Sequence, residues 1–269
     1  MSSTTTFAFN RYSAKIMKQS PAQLFGMLVS MPKIGREIKR LQAAGYPVKS
    51  VLDIIQNDEN LDTIVYTSPE FQPCADTFPA AHYAFVGPSI RPAEMRMEKS
   101  AQPLVYISLG TVVNDQLAFY QQCVAALADG PCRVILSIGE QVKPAALGTL
   151  PGNVEVHAHV DQIAVLQIAD VFLTHCGMNS ASEALYFGVP LVMFPQTPEQ
   201  GGVCTRVLEL GAGVKPHPPV KRLTKCFPTP SIVKKPPKSP RASADAQAQR
   251  ARRRRFCRLS VNKEKHGSS

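Results

Sequence analysis

The sequence predicts an α/β protein whose main domain is a doubly wound parallel sheet with helices on both faces. Three observations carry that prediction. Between residues 104 and 215, short apolar runs alternate with segments of helical character. Two of the runs open into small or polar residues, at Leu109-Gly110-Thr111 and at Thr174-His175-Cys176-Gly177, as parallel strands do at their carboxyl ends. Hydrophobic residues make up 44% of the 269, enough to build a core.

The first 90 residues read differently. Residues 7–50 have helical character with no strand to begin them. Leu24, Met27, Leu28, Met31, Ile34, Ile38 and Leu41 recur at three- and four-residue spacing, with charged residues between them. Pro32 is expected to interrupt this face, and Gly45 and Pro47 to stop it. A short helix is expected over Val51 to Ile55. Strands follow at Thr63–Tyr66 and Tyr83–Val86, with an irregular segment between Pro73 and Pro79. A polar, proline-punctuated connector over 87–103 then marks a domain boundary.

Beyond the connector the expected order is strand Leu104–Leu109, helix Asp115–Ala128, strand Arg133–Ile138 and a short helix near Pro144–Leu147. Strand Val154–His157, helix Gln162–Ala169 and strand Val171–Leu173 come next. Asn179 and Ser180 are candidate N-caps for the following helix, with Glu183 three residues after Ser180 as in a capping box. That helix ends at Gly188 and is blocked by Pro190. Strand Leu191–Phe194, helix Glu199–Leu210 and a last strand at Gly213–Lys215 complete the set.

The net charge of +10 is unevenly distributed. Residues 1–215 carry 15 basic and 18 acidic side chains, whereas residues 216–269 carry 15 basic and 2 acidic. The body is mildly acidic, so the high isoelectric point says little about what it binds. The tail holds eight prolines with almost no apolar periodicity and is expected to be disordered. Its run R-A-R-R-R-R-F-C-R at 250–258 keeps open a nucleic-acid-binding or targeting alternative. The seven cysteines are odd in number, scattered and without a CxxC pair, which points to reduced thiols in a cytoplasmic protein. No eighteen-residue apolar run or signal-peptide pattern is present, so no membrane span is expected.

The richest chemistry lies in Asp170–Gln200. Gly177 lets a ligand approach the backbone, and the amides near Met178, Asn179 and Ser180 open a helix, a place suited to an anion such as a diphosphate. His175 stands just before it and can donate to a phosphate oxygen. Glu183, one turn further, can accept from a hydroxyl pair such as a ribose. Glu199 and Gln200 follow the next strand at the same sheet edge, an acid beside an amide, suited to separate sugar hydroxyls. A plainer reading also fits: His175 caps the strand and Glu183 is a capping-box partner.

The stretch T-H-C-G-M-N-S-A-S-E-A-L-Y-F-G-V-P-L-V-M-F-P-Q-T-P-E-Q at 174–200 resembles the donor-binding signature of the UDP-glycosyltransferases, glycosyltransferase family 1. The bacterial macrolide glycosyltransferase-like branch looks closest. V-Y-I-S-L-G-T at 105–111, G-N-V-E-V-H-A-H-V-D-Q-I-A-V-L at 152–166 and V-L-E-L-G-A-G-V at 207–214 extend the resemblance over roughly 83–215. It implies the GT-B fold: a Rossmann-like donor-binding domain over 104–215, a linker over 91–103, and residues 1–90 as the remnant of an acceptor domain. It implies inverting transfer of a hexose from a UDP-sugar to a hydroxyl of a small hydrophobic acceptor.

By position, Ser108, Gly110 and Thr111 match the loop that approaches the diphosphate and sugar, and Gln162 matches a nucleoside-contacting glutamine. His175, Gly177, Asn179 and Ser180 match the diphosphate-binding turn. Glu183 matches the ribose-binding acid, and Glu199 with Gln200 the pair that reads the donor sugar. There is no D-x-D motif, so no metal is expected, with His175 and the helix start neutralising the diphosphate.

Three positions depart from the family pattern. Asp161 stands where the family usually has proline before the glutamine. The family's base histidine lies in a loop after the first strand of the N-terminal domain, and none of His82, His157, His159, His217 and His266 matches it. His82 reads as a structural histidine. The family's final helices are replaced by the Pro/Arg-rich tail. The expectation is a chain cut at the front and altered after about Val214, with transfer impaired. An inactive UDP-sugar-binding module is the alternative.

Overall fold

The computed structural model describes residues 2–5, 8, 10, 21–49, 62–111 and 114–216. These form two compact units, one ending at Gly87 and one starting at Pro88. The expected helix at Val51–Ile55 and the basic tail lie outside the described residues.

In the first unit, β1 (Ser2–Thr5), β2 (Asp62–Val65) and β3 (Tyr83–Phe85) form a parallel sheet in that order. Strand β1 is absent from the sequence reading. Its four residues are all Ser or Thr, so no apolar alternation announces it, and its pairing with β2 is what makes it a strand. Ala8, Val65, Phe78 and Tyr83 form a small core, with Phe78 edge-on to Tyr83 at 4.9 Å. Buried Gln72 bonds both the N–H and the C=O of Ala8, so no backbone group is orphaned there. Helix α1 (Pro21–Ala43) runs unbroken through Pro32. The expected interruption does not occur because Pro32 is exposed, and water can bond the carbonyl that its ring leaves free.

The second unit is a six-stranded, wholly parallel sheet. Its strands are β4 (Leu104–Ser108), β5 (Arg133–Ser137), β6 (Val154–His157), β7 (Val171–Thr174), β8 (Leu191–Met193) and β9 (Gly213–Val214). The spatial order is β6-β5-β4-β7-β8-β9, so the winding reverses between β4 and β7. That reversal opens a crevice at the carboxyl ends of those two strands. Helices α2 (Leu117–Leu127), α3 (Gln162–Ile168), α4 (Met178–Tyr186) and α5 (Pro198–Glu209) lie close to the positions read from periodicity.

Strand alternation divides the core. Val105, Ile107, Val134, Leu136, Val171 and Leu173 pack with Tyr120, Cys123, Val124 and Leu127 of α2. Tyr106, Ile135 and Phe172 point the other way, and Tyr106 stacks on Phe172 at 4.6 Å. On that side α3 packs on β4 and α4 on β7.

The connector is tied to the second unit by two carboxylates. Asp161, whose side chain is 4% exposed, accepts from Arg91 at 2.8 Å and from the N–H groups of Glu94 and Met95 at 2.6 and 3.2 Å. Asp170 binds Lys99 at 2.6 Å and the N–H of Leu104 at 3.0 Å.

Candidate functional site

Strands β4 and β7 end in register, with Ser108 opposite Thr174, so Leu109-Gly110 and His175-Cys176 leave the sheet side by side. Both ends fold by the same device. The Ser108 hydroxyl accepts the N–H of Gly110 at 3.2 Å, and the Thr174 hydroxyl accepts the N–H of Cys176 at 3.2 Å. The backbone turns left-handed immediately afterwards, at Gly110 (φ 78°) and at Cys176 (φ 66°). Glycine takes that conformation freely; Cys176 holds it against a steric cost.

These turns place His175 between two glycines. A β-carbon on Gly110 would lie 2.6 Å from His175 Cε1, and one on Gly177 would lie 2.5 Å from Nε2. Burial lowers the His175 pKa from its ordinary value, and a hydrogen bond with the Ser108 backbone only partly opposes the shift. The unliganded ring is therefore mostly neutral near pH 7, its one N–H given to the Ser108 carbonyl, and is not a standing positive charge. Behind Gly110, the buried side chain of Asn114 donates to the Gly110 carbonyl at 2.9 Å.

Gly177 is the N-cap of α4, with an extended backbone and no side-chain cap. Asn179 and Ser180 fall inside the first turn, so the expected caps are not caps. The first intrahelical bond joins Ala181 N–H to Gly177 C=O, which leaves the amides of Met178, Asn179 and Ser180 without helical acceptors. Three N–H groups and the positive helix end thus face the mouth of the crevice beside His175. The expected capping box is also absent, because the Glu183 side chain is engaged elsewhere: its Oε2 accepts from Gln162 Nε2 at 2.6 Å. Gln162 opens α3, which crosses back from β6 onto β4, and its Oε1 accepts from the Tyr106 hydroxyl at 3.2 Å.

The next strand end supplies Glu199 and Gln200. Glu199 is exposed. Gln200 is 8% exposed and its Oε1 accepts the N–H of Gln196 at 2.7 Å and of Thr197 at 3.2 Å. Thr197 in turn caps the N–H of Gln200, completing a capping box on α5. Gln200 is thus a structural cap whose Nε2 alone has no bonding partner among the described residues. Ser108 is similarly committed, at 6% exposure, to shaping its turn. Thr111 is exposed at the crevice mouth. A largely apolar cavity of about 290 Å³ lies at the same sheet edge, between Leu109, Phe119, Met193, Phe194 and Lys215.

Each of the other described histidines has an acidic neighbour. His82 bonds Asp62 at 3.1 Å, at the edge where β2 and β3 begin rather than end. His157 lies 3.7 Å from Glu155 and His159 lies 3.0 Å from Glu140. Tyr106, Asn114 and the Asp161 clasp escaped the sequence reading of the site. A tyrosine within an otherwise aliphatic strand was the one signal for the first; the other two depend on contacts distant in sequence.

A six-stranded parallel sheet in the order β6-β5-β4-β7-β8-β9, with a glycine-lined crevice at its switch point, places this unit in the doubly wound α/β class. Residues 81–224 match the family model described as UDP-glucoronosyl and UDP-glucosyl transferase, and the chain belongs to that family. It is 37% identical over 218 residues to the uncharacterized UDP-glucosyltransferase YojK of Bacillus subtilis, covering 78% of this chain and 53% of that one. It is 37% identical over 158 residues to the oleandomycin glycosyltransferase of Streptomyces antibioticus, covering 57% of this chain and 37% of that one. The solved structure of CalG4, the calicheamicin glycosyltransferase, superposes with a TM-score of 0.69 at 28% identity, covering 96% of this chain and 66% of that one. The fold is accordingly GT-B. The chain spans about half the length, or less, of these curated relatives. No described helix is long and apolar enough to cross a membrane.

Proposed function

We propose that the second unit binds the nucleotide of a UDP-sugar, and that the protein it belongs to transfers the hexose, with inversion, to a hydroxyl of a small hydrophobic acceptor. The observation that carries this reading is the placement of His175. Gly110 and Gly177 clear space around its ring, and the free amides of α4 lie directly beside it.

In this reading the diphosphate sits on the amides of Met178, Asn179 and Ser180, with Gly110 and Gly177 allowing its oxygens to approach the backbone. The bound diphosphate raises the His175 pKa, and the imidazolium, one N–H of which goes to the Ser108 carbonyl, donates its other N–H to a phosphate oxygen. As the anomeric C–O bond breaks, charge grows on the departing diphosphate, and these fixed donors stabilise it without reorganising. Glu183 accepts from the ribose hydroxyls while Gln162 contacts the nucleoside. Glu199 and the Nε2 of Gln200 face the sugar, an acceptor and a donor for separate hydroxyls. The named relatives support the donor class, since YojK is called a UDP-glucosyltransferase and the Streptomyces relative acts on oleandomycin by name.

Calorimetric titration of the full chain with UDP tests the site. His175→Ala and Glu183→Ala are each expected to abolish measurable binding while leaving the fold intact; unchanged affinity in both overturns the assignment. Incubation with UDP-glucose and a panel of hydrophobic alcohols, with product read by mass, tests transfer. Binding without transfer favours a donor-binding module over an active enzyme.

A further inference from the structure

The geometry points to Tyr106 as a positioning residue that sets the preference for a ribonucleotide over a 2′-deoxyribonucleotide. It does so through the chain Tyr106–Gln162–Glu183, and the inference rests on the donor reading above.

A carboxylate only accepts hydrogen bonds, so the 2.6 Å contact with Glu183 fixes which end of the Gln162 amide is nitrogen. The carbonyl end must then face a donor, and the Tyr106 hydroxyl supplies it at 3.2 Å. That hydroxyl is held firmly. Tyr106 is 1% exposed, and its ring lies flat on Phe172, 14° from parallel. Burial pushes its phenol well above the ordinary value, so it stays a donor at any working pH.

The consequence reaches the ligand. With Oε2 held by Gln162, Glu183 presents Oε1 in a fixed direction, one charged acceptor aimed where the ribose diol is expected. Without the Tyr106 hydroxyl, the Gln162 carbonyl loses its donor and the amide can rotate. Glu183 then loses the contact that orients it, and its second oxygen is no longer preset for the 2′-hydroxyl. A hydrogen bond made by a charged group is among the stronger ones, so its alignment governs discrimination. The Met178, Asn179 and Ser180 amides assigned to the diphosphate do not depend on this chain, and the Gln162 contact to the nucleoside is common to both nucleotides and cancels in their ratio.

The test compares UDP with 2′-deoxy-UDP by calorimetry on the full chain. The unmodified protein is expected to favour UDP about ten-fold or more. Tyr106→Phe keeps the stack on Phe172 and removes only the hydroxyl. It is expected to shrink the ratio to about three-fold or less, with affinity for 2′-deoxy-UDP held within about two-fold. An unchanged ratio overturns the inference alone, as does an equal loss for both nucleotides, which is what a purely structural role produces. Absence of UDP binding to the unmodified protein overturns the donor reading as well. Should Tyr106→Phe fail to fold, Gln162→Met at the half-buried end of the chain carries the test and is expected to compress the ratio alike; an unchanged ratio there overturns the inference.

Discussion

A β-carbon on Gly177 would come within 2.5 Å of Nε2 of His175. Since Gly177 has an ordinary extended backbone (φ −64°, ψ 149°), its glycine is required by this contact and not by conformation. Gly177→Ala is therefore expected to displace the ring with a stability loss of only about 1 kcal/mol, while UDP affinity falls about ten-fold or more. Gly110→Ala meets the same ring from the other side, and its φ of 78° adds backbone strain. It is expected to lower the melting temperature more than Gly177→Ala does. Melting curves beside UDP titrations of both variants check the contrast.

The depressed pKa of His175 has a sign that can be measured. Free, the ring is neutral down to below its ordinary value of 6.5. A bound diphosphate favours the imidazolium and raises that pKa, so binding near pH 6 is expected to draw a fraction of a proton from solution. Titrations in buffers of different ionisation heat report the uptake. His175→Gln, which keeps a donor but cannot charge, is expected to show less uptake than the unmodified protein.

Asp161 is expected to stabilise the second unit in a pH-dependent way. Burial alone would raise its carboxyl, but the N–H groups of Glu94 and Met95 and the Arg91 guanidinium outweigh that and hold it below its ordinary 3.8. A lowered folded pKa means that the stabilisation is present above pH 3.8 and is lost as pH falls through the folded value. Asp161→Asn should cost about 1–2 kcal/mol at pH 7, part of it screened because Arg91 is partly exposed. The deficit should shrink in melts below pH 3.8.

Thr197→Ala removes one half of the α5 capping box and is expected to cost about 1 kcal/mol in denaturant unfolding. Gln200→Ala leaves the N–H groups of Gln196 and Thr197 without their acceptor, so it should cost more than Thr197→Ala. If Nε2 of Gln200 also meets the sugar, this variant weakens UDP-hexose binding and leaves UDP binding nearly unchanged.

Much of the second unit follows from local pattern. The strands and helices of residues 104–215 were legible because each carries its own periodicity, and glycine or proline punctuates most joints. The residues gathered at the crevice were legible for a related reason: Gly110, His175 and Gly177 sit at strand ends, and parallel strand ends meet by topology. Other features depended on partners distant in the chain. Strand β1 has no pattern of its own and exists through its ladder with β2. Pro32 does not break α1, because its exposed position lets water satisfy what the ring disrupts. The start of α4 falls at Gly177, not at Asn179 or Ser180, and Glu183 turns away from a capping box because α3 crosses onto β4 and brings Gln162 within 2.6 Å. Spacing along one helix cannot register a contact made by another, so packing between elements selects which polar groups cap, which clasp and which remain available to a ligand.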